Sequence, residues 1–250
     1  MSDLTGKVAV VLGASGEKNF GSEIARRFAK AGAKVVVAAR RLEALQALAK
    51  EIDGLAVACD ITDEAQLENL FAAATEKYGR VDVAVNSSGI HAHGTIAELS
   101  HDTIAPTLEV SFIGSLLFFK HAAAAMPEGG SVMTVSSLTA RLPGAGYAVY
   151  AGARAGIDYA VKVAAVEYGA QGVRFNSIAA GLIETDMTAA ILEMPGLVEG
   201  FISAIPVGRM GTVEDMAETA LWLADDTTSG FINGHVIDLA GGQQMGRLPG

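Results

Sequence analysis

The chain has 250 residues, half of them apolar and 18 % charged, enough to bury one sizeable core as a single domain over 1–250. Eighteen basic against 28 acidic residues leave a net charge of −10, which argues against a general binder of nucleic acid or of an anionic membrane. The one cysteine, Cys59, rules out a disulfide framework and suits a reducing compartment, so a cytoplasmic setting is expected.

Val8–Leu12 is an unbroken apolar run ending at Gly13, as in a strand buried on both faces of a parallel sheet. The turn from Gly13 to Gly21 follows, and then Ile24, Ala25, Phe28 and Ala29 recur at helical spacing. Strand, glycine-rich turn and helix is the context in which a helix N-terminus accepts a pyrophosphate. The pattern then predicts a strand at Val35–Ala39, a helix face from Leu42 to Ile52, a strand at Leu55–Ala58, a helix from Asp63 to Tyr78 and a strand at Val81–Val85. A long helix over about 101–126 comes next. Its apolar stretch Val110–Met126 is broken by Lys120 and His121 and closed by Pro127, which reads as a buried helix and not a membrane span. Ser131–Val135, a helix over about 148–170, Val173–Ile178, a helix over 212–224 and a strand around His235–Leu239 complete the chain.

Alternating strands and helices predict an α/β, Rossmann-type doubly wound parallel sheet. Right-handed crossovers then bring Gly13, Asp60, Asn86, Ser137 and Gly181 to one edge, where such sheets bind ligands. Asp60 ends a strand and could accept a hydrogen bond from an adenine amino group. Arg40-Arg41 ends the second strand, where an acidic residue would hold a free ribose 2′-hydroxyl, and two guanidiniums there suit a 2′-phosphate. Lys18 could add a further positive contact. NADP(H) is therefore expected in preference to NAD(H).

Tyr150 and Arg154 stand at i and i+4 of a predicted helix and share one face, beside a serine delivered from a strand end. With Gly13…Gly21, Cys59-Asp60, Asn86-Ser-Ser-Gly89, Ser137 and Tyr150, Asn176…Gly181…Thr185 and Gly234…Gly241-Gly242, the chain resembles the short-chain dehydrogenase/reductase family, in its compact single-domain branch. The resemblance implies that Ser137 holds the substrate oxygen and Tyr150 exchanges its proton. The family's lysine and helix asparagine fall at Arg154 and Ser111, so these four are the implied catalytic positions. A free phenol titrates near ~10, so activating one near neutrality takes roughly 4 kcal/mol, for which a neighbouring cation is the source. The resemblance further implies cofactor contacts from Gly13, Ser15, Lys18, Phe20, Gly21, Arg40, Arg41, Asp60, Ile61, Asn86, Gly89, Tyr150, Arg154, Gly181, Ile183 and Thr185.

A substrate-covering segment is implied over about 186–210. Its soft apolar side chains, with His91, His93, Leu138, Tyr147, Leu182, Met187 and Ile191 as the expected lining, suggest a small hydrophobic substrate. His91 and His93 lack a third ligand at suitable spacing, so no metal is expected. The resemblance also implies a homodimer or homotetramer through helices 101–126 and 148–170. The expected activity is an NADP(H)-dependent interconversion of a hydrophobic ketone and its secondary alcohol. Ser137, Tyr150 and Arg154 also resemble the triad of the halohydrin dehalogenases, cofactor-independent lyases on the same scaffold. A nucleotide-binding interaction protein that has lost its chemistry is the third reading.

Overall fold

A computed structural model describes residues 2–245, with the side chains of 190, 191 and 195 outside the described part. Seven strands form one sheet: β1 (Val8–Leu12), β2 (Lys34–Ala39), β3 (Leu55–Ala58), β4 (Val83–Asn86), β5 (Gly130–Ser137), β6 (Val173–Ala180) and β7 (Val236–Leu239). Their order is β3-β2-β1-β4-β5-β6-β7, and every pairing is parallel. The order reverses between β1 and β4, so the ligand crevice is expected just beyond the ends of those two strands.

The unbroken apolar runs follow from burial on both faces. Ala9 and Val11 of β1 join one core with Val35 and Val37 of β2, beneath α1 (Phe20–Lys30) and α2 (Leu42–Glu51). Val10 and Leu12 join the opposite core with Val36 and Ala38, beneath α3 (Glu64–Tyr78). Alternate side chains of one strand thus feed two layers, which is why no polar residue interrupts it. Asn19 starts α1 by accepting the Ser22 N–H at 2.7 Å, a side-chain cap that satisfies one of the helix's free donors.

The expected helix over 101–126 is two helices, α4 (His101–Leu108) and α5 (Gly114–Ala124), joined by a π-turn at Glu109–Ile113. Ser115 fills the gap in the ladder by donating its hydroxyl to the Ser111 carbonyl at 3.1 Å. His101–Ala124 is long and apolar enough by composition to cross a bilayer. It packs against α3 and α6 (Ala148–Tyr168) and buries Phe118, Phe119, Ala122 and Ala123 in the core. The segment expected to cover the substrate carries two short helices, α7 (Ala189–Leu192) and α8 (Pro195–Ser203), ahead of α9 (Val213–Ala224).

Candidate active site

Two cavities open at the carboxyl edge of the sheet. One, of about 270 Å³, runs along Gly13, Ser15, Asn19, Arg40, Arg41, Asp60 and Ile61. The other, of about 460 Å³, is walled by Ser137, Tyr150, His91, Leu138, Leu142, Tyr147, Leu182 and Phe201, among others. Phe20, Ser87, Gly89, Thr185 and Met187 line both, so the two meet at the tip of the glycine turn.

The first cavity has the donor set that a dinucleotide needs. Gly13 lies at φ +95°, and a Cβ there would come 2.6 Å from the Ser87 hydroxyl, so only glycine lets the turn sit this close to β4's exit. Asp60 accepts the Thr62 N–H at 3.0 Å and its hydroxyl at 2.8 Å, both on Oδ1. These bonds hold its carboxyl below the usual carboxylate value, and Oδ2 has no partner among the described residues. Arg40 and Arg41 are exposed at the far wall, and Arg41 Nη2 donates to the Ser15 carbonyl at 3.2 Å. Carboxylate, paired guanidiniums and a helix N-terminus occupy one groove, which fits an adenine, a ribose phosphate and a pyrophosphate.

In the second cavity Ser137 ends β5, and its oxygen accepts the Thr139 N–H at 3.2 Å and the Thr139 hydroxyl at 2.9 Å. With its lone pairs engaged, the Ser137 hydroxyl is left to donate its own proton. Thr139 thus orients the serine, a role sequence reasoning missed, although the Ser-x-Thr spacing was available as a turn signal. Tyr150 is half-buried in α6. The Arg154 guanidinium lies over its ring at 5.2 Å from the centroid.

Arg154 is only 4 % exposed. Its Nη1 donates to the Val135 carbonyl at 2.9 Å and Nη2 to the Ser88 carbonyl at 3.2 Å, while Nε has no partner. The expected ribose contact is therefore not what its terminal nitrogens make: both tie the ends of β5 and β4 to α6. A Cβ on Gly89 would fall inside the envelope of Nη2, so that glycine is the cavity into which the guanidinium fits. His91 packs its ring against Tyr150 and Tyr147, with centroids 5.0 and 4.9 Å away. Partial desolvation, with His93 second, holds the His91 ring below the ordinary histidine value.

Several expected site residues stand elsewhere. Lys18 pairs with Glu184 at 2.5 Å and does not line the nucleotide groove. Asn86 is buried beneath it, accepting the Ser88 N–H at 2.9 Å and donating to Ser115 at 3.0 Å. Ser111 is fully buried, lines neither cavity, and its hydroxyl has no partner. Ile183 sends its side chain into the core, Gly21 packs on Gly13 and Ser87, and His93 lies under Gly146 against Tyr147. Gly181 and Leu182 line the substrate cavity, as does Met187, while the side chain of Ile191 is outside the described residues. Among the described residues no group of three metal-ligating side chains occurs.

The profile of the family described as Enoyl-(Acyl carrier protein) reductase matches residues 13–244. The chain is 33 % identical to an uncharacterized oxidoreductase of Methylorubrum extorquens, over 97 % of this chain and 99 % of that one. It is 31 % identical to a human 3-oxoacyl-[acyl-carrier-protein] reductase, over 96 % and 98 % of the two chains. It is 34 % identical to a 2,5-dichloro-2,5-cyclohexadiene-1,4-diol dehydrogenase of Sphingobium indicum, over 97 % and 98 %. A solved short-chain dehydrogenase/reductase from Mycobacterium ulcerans superposes with a TM-score of 0.94 at 30 % identity, over 99 % of this chain and 93 % of that one. Sheet order, site and relatives agree, and the chain belongs to the short-chain dehydrogenase/reductase family of oxidoreductases.

Proposed function

We propose that the protein is an NADP(H)-dependent oxidoreductase that interconverts a neutral hydrophobic ketone and its secondary alcohol. The observation that carries this reading is the junction of the two cavities: Ser137 and Tyr150 stand on one side of it and Arg40 and Arg41 at the far end of the other. A bound nicotinamide supplies hydride to, or takes it from, the substrate carbon. The residues do the rest. Ser137 donates a hydrogen bond to the carbonyl oxygen, with Thr139 holding its orientation. The Tyr150 hydroxyl gives that oxygen its proton in reduction and takes it back in oxidation. Arg154 keeps fixed positive charge beside the Tyr150 ring and holds α6 against the strand ends. Among the described residues the cavity wall contributes no carboxylate and no lysine, and its one guanidinium, Arg154, is bonded to two backbone carbonyls, which favours an uncharged substrate.

The dehalogenase reading is not favoured. Arg154 spends both terminal nitrogens on backbone carbonyls, and the paired guanidiniums of Arg40 and Arg41 have no task in a cofactor-free lyase. Titration of NADPH and NADH by fluorescence, followed by a ketone panel, tests the proposal. Tighter binding of NADPH and turnover of apolar ketones is the expected result; no binding of either nucleotide would refute it.

We also propose a homodimer or homotetramer through α4, α5 and α6. Tyr159, Val163 and Val166 recur along one exposed face of α6, and Ile113 at the end of the π-turn and Leu116 on α5 are exposed as well. Light scattering should show Val163→Asp to be smaller than wild type; an unchanged mass contradicts this interface.

A further inference from the structure

The substrate cavity takes much of its wall from one ten-residue segment, 138–147, which contributes Leu138, Thr139, Leu142, Pro143 and Tyr147. Within it Arg141 turns away from the cavity and back towards the sheet. Its Nη1 stands 3.5 Å from Asp158 Oδ2 on α6, and its Nη2 pairs with Asp238 Oδ1 on β7. The Asp158 side chain is 9 % exposed, accepts the Ser177 hydroxyl at 2.7 Å on Oδ1, and has no hydrogen-bond donor on Oδ2. Among the described residues, the Arg141 pairs are the only ion pairs or side-chain hydrogen bonds that carry the segment beyond Ser137.

Asp158 is also one turn past Arg154, itself one turn past Tyr150, on the same helix face. Positive and negative charges therefore alternate from Arg154 through Asp158 and Arg141 to Asp238. Such a chain couples the catalytic helix, the substrate wall and the last strand. A carboxylate this deeply buried is held in place by the cation opposite it, because either partner left alone would be an uncompensated buried charge.

We propose that Arg141 is a positioning residue that fixes the substrate wall over Tyr150 by bridging Asp158 and Asp238, and that it thereby sets substrate affinity. The kinetic part of this inference rests on the proposed reductase activity, whereas the positional part does not. Hydrogen exchange of the full chain, followed by mass spectrometry, reads the positional part. Arg141→Met keeps the aliphatic stem and removes the charge. It should speed exchange of peptides within 138–147 by about tenfold, the loss of an ion pair whose carboxylate partner is buried, and leave peptides of β1 unchanged. Arg141→Lys should restore most of the protection. Unchanged exchange in 138–147, or an increase shared equally by β1, would overturn the proposal.

With NADPH saturating, Arg141→Met should raise KM for an apolar ketone severalfold at nearly constant kcat, with NADPH affinity unchanged. A fall in kcat at constant KM would overturn the role in affinity. Wild-type protein that reduces no ketone sinks the proposed activity, and the exchange experiment then still decides whether Arg141 is the strut.

Discussion

Gly89→Ala isolates what Arg154 does in this fold. A methyl group at residue 89 would press on Arg154 Nη2, with Cζ only 3.2 Å away, so the guanidinium must move. Moving it breaks the bond to the Ser88 carbonyl and tilts the fork off the Val135 carbonyl. At 4 % exposure no bulk water replaces them. Each hydrogen bond to a charged donor is worth about 1.5–3 kcal/mol, so allowing for partial relaxation the substitution costs about 3 kcal/mol. In a chain of this size that lowers the melting temperature by roughly 6–12 °C. Gly152→Ala is the matched control: nothing lies within 4 Å of its added Cβ, and it sits inside α6. It should raise stability by about 0.5–1 kcal/mol. Differential scanning calorimetry reads both. In an Arg154→Lys background the Gly89→Ala penalty should shrink, since a single ammonium need not enter the space beside residue 89. A melting temperature for Gly89→Ala within about 2 °C of wild type would refute the clamp.

Replacing Arg40 and Arg41 together with alanine should weaken NADPH binding by about 100-fold and NADH binding by no more than about threefold, from the loss of charge-assisted contacts to a 2′-phosphate; equal losses would contradict the cofactor assignment. Thr139→Val should lower kcat about tenfold at unchanged NADPH affinity, because Ser137 loses one of the two donors that orient it; unchanged kcat would remove Thr139 from the site. Asp158 tests the buried charge chain by pH. Burial pushes its carboxyl above 3.8, against the pull of the Ser177 hydroxyl and of Arg141 and Arg154. A carboxyl raised on folding binds more protons in the native state, so it subtracts stability as pH rises from 3.8 to its folded value. The melting temperature of Asp158→Asn minus that of wild type should therefore become more positive across that interval; a difference that falls with rising pH would reverse the assignment.

The sheet was legible in the sequence because both faces are buried. Val8–Leu12 and Val35–Ala39 therefore appear as unbroken apolar runs, whereas β5 and β6 carry buried polar side chains such as Thr134, Arg174 and Asn176 that apolar runs alone do not mark. Ser137, Tyr150 and Arg154 could be placed because a strand end and an i, i+4 pair are local facts. The π-turn at Glu109–Ile113 was not legible, since apolar periodicity runs through it and only the Ser115-to-Ser111 bond marks the break. The ion pair of Lys18 was not legible for a related reason. Its charge is visible in the turn, but its partner Glu184 follows β6, 166 positions along the chain. The ribose role expected of Arg154 was inherited from a lysine, whose compact ammonium need not pair with two carbonyls as a planar fork does. Arg141, Asp158 and Asp238 went unremarked because three different elements bring them together.

The proposed function requires direct hydride transfer from NADPH to a ketone, with Tyr150 supplying the proton. Reduction of an apolar ketone with NADPH deuterated at the transferring position of C4 tests it most directly. Deuterium should appear at the carbinol carbon of the alcohol, and Tyr150→Phe should slow its appearance by about 10²-fold or more. Alcohol formed without deuterium, or an inert ketone panel beside halide release from a vicinal halohydrin without nucleotide, would contradict it.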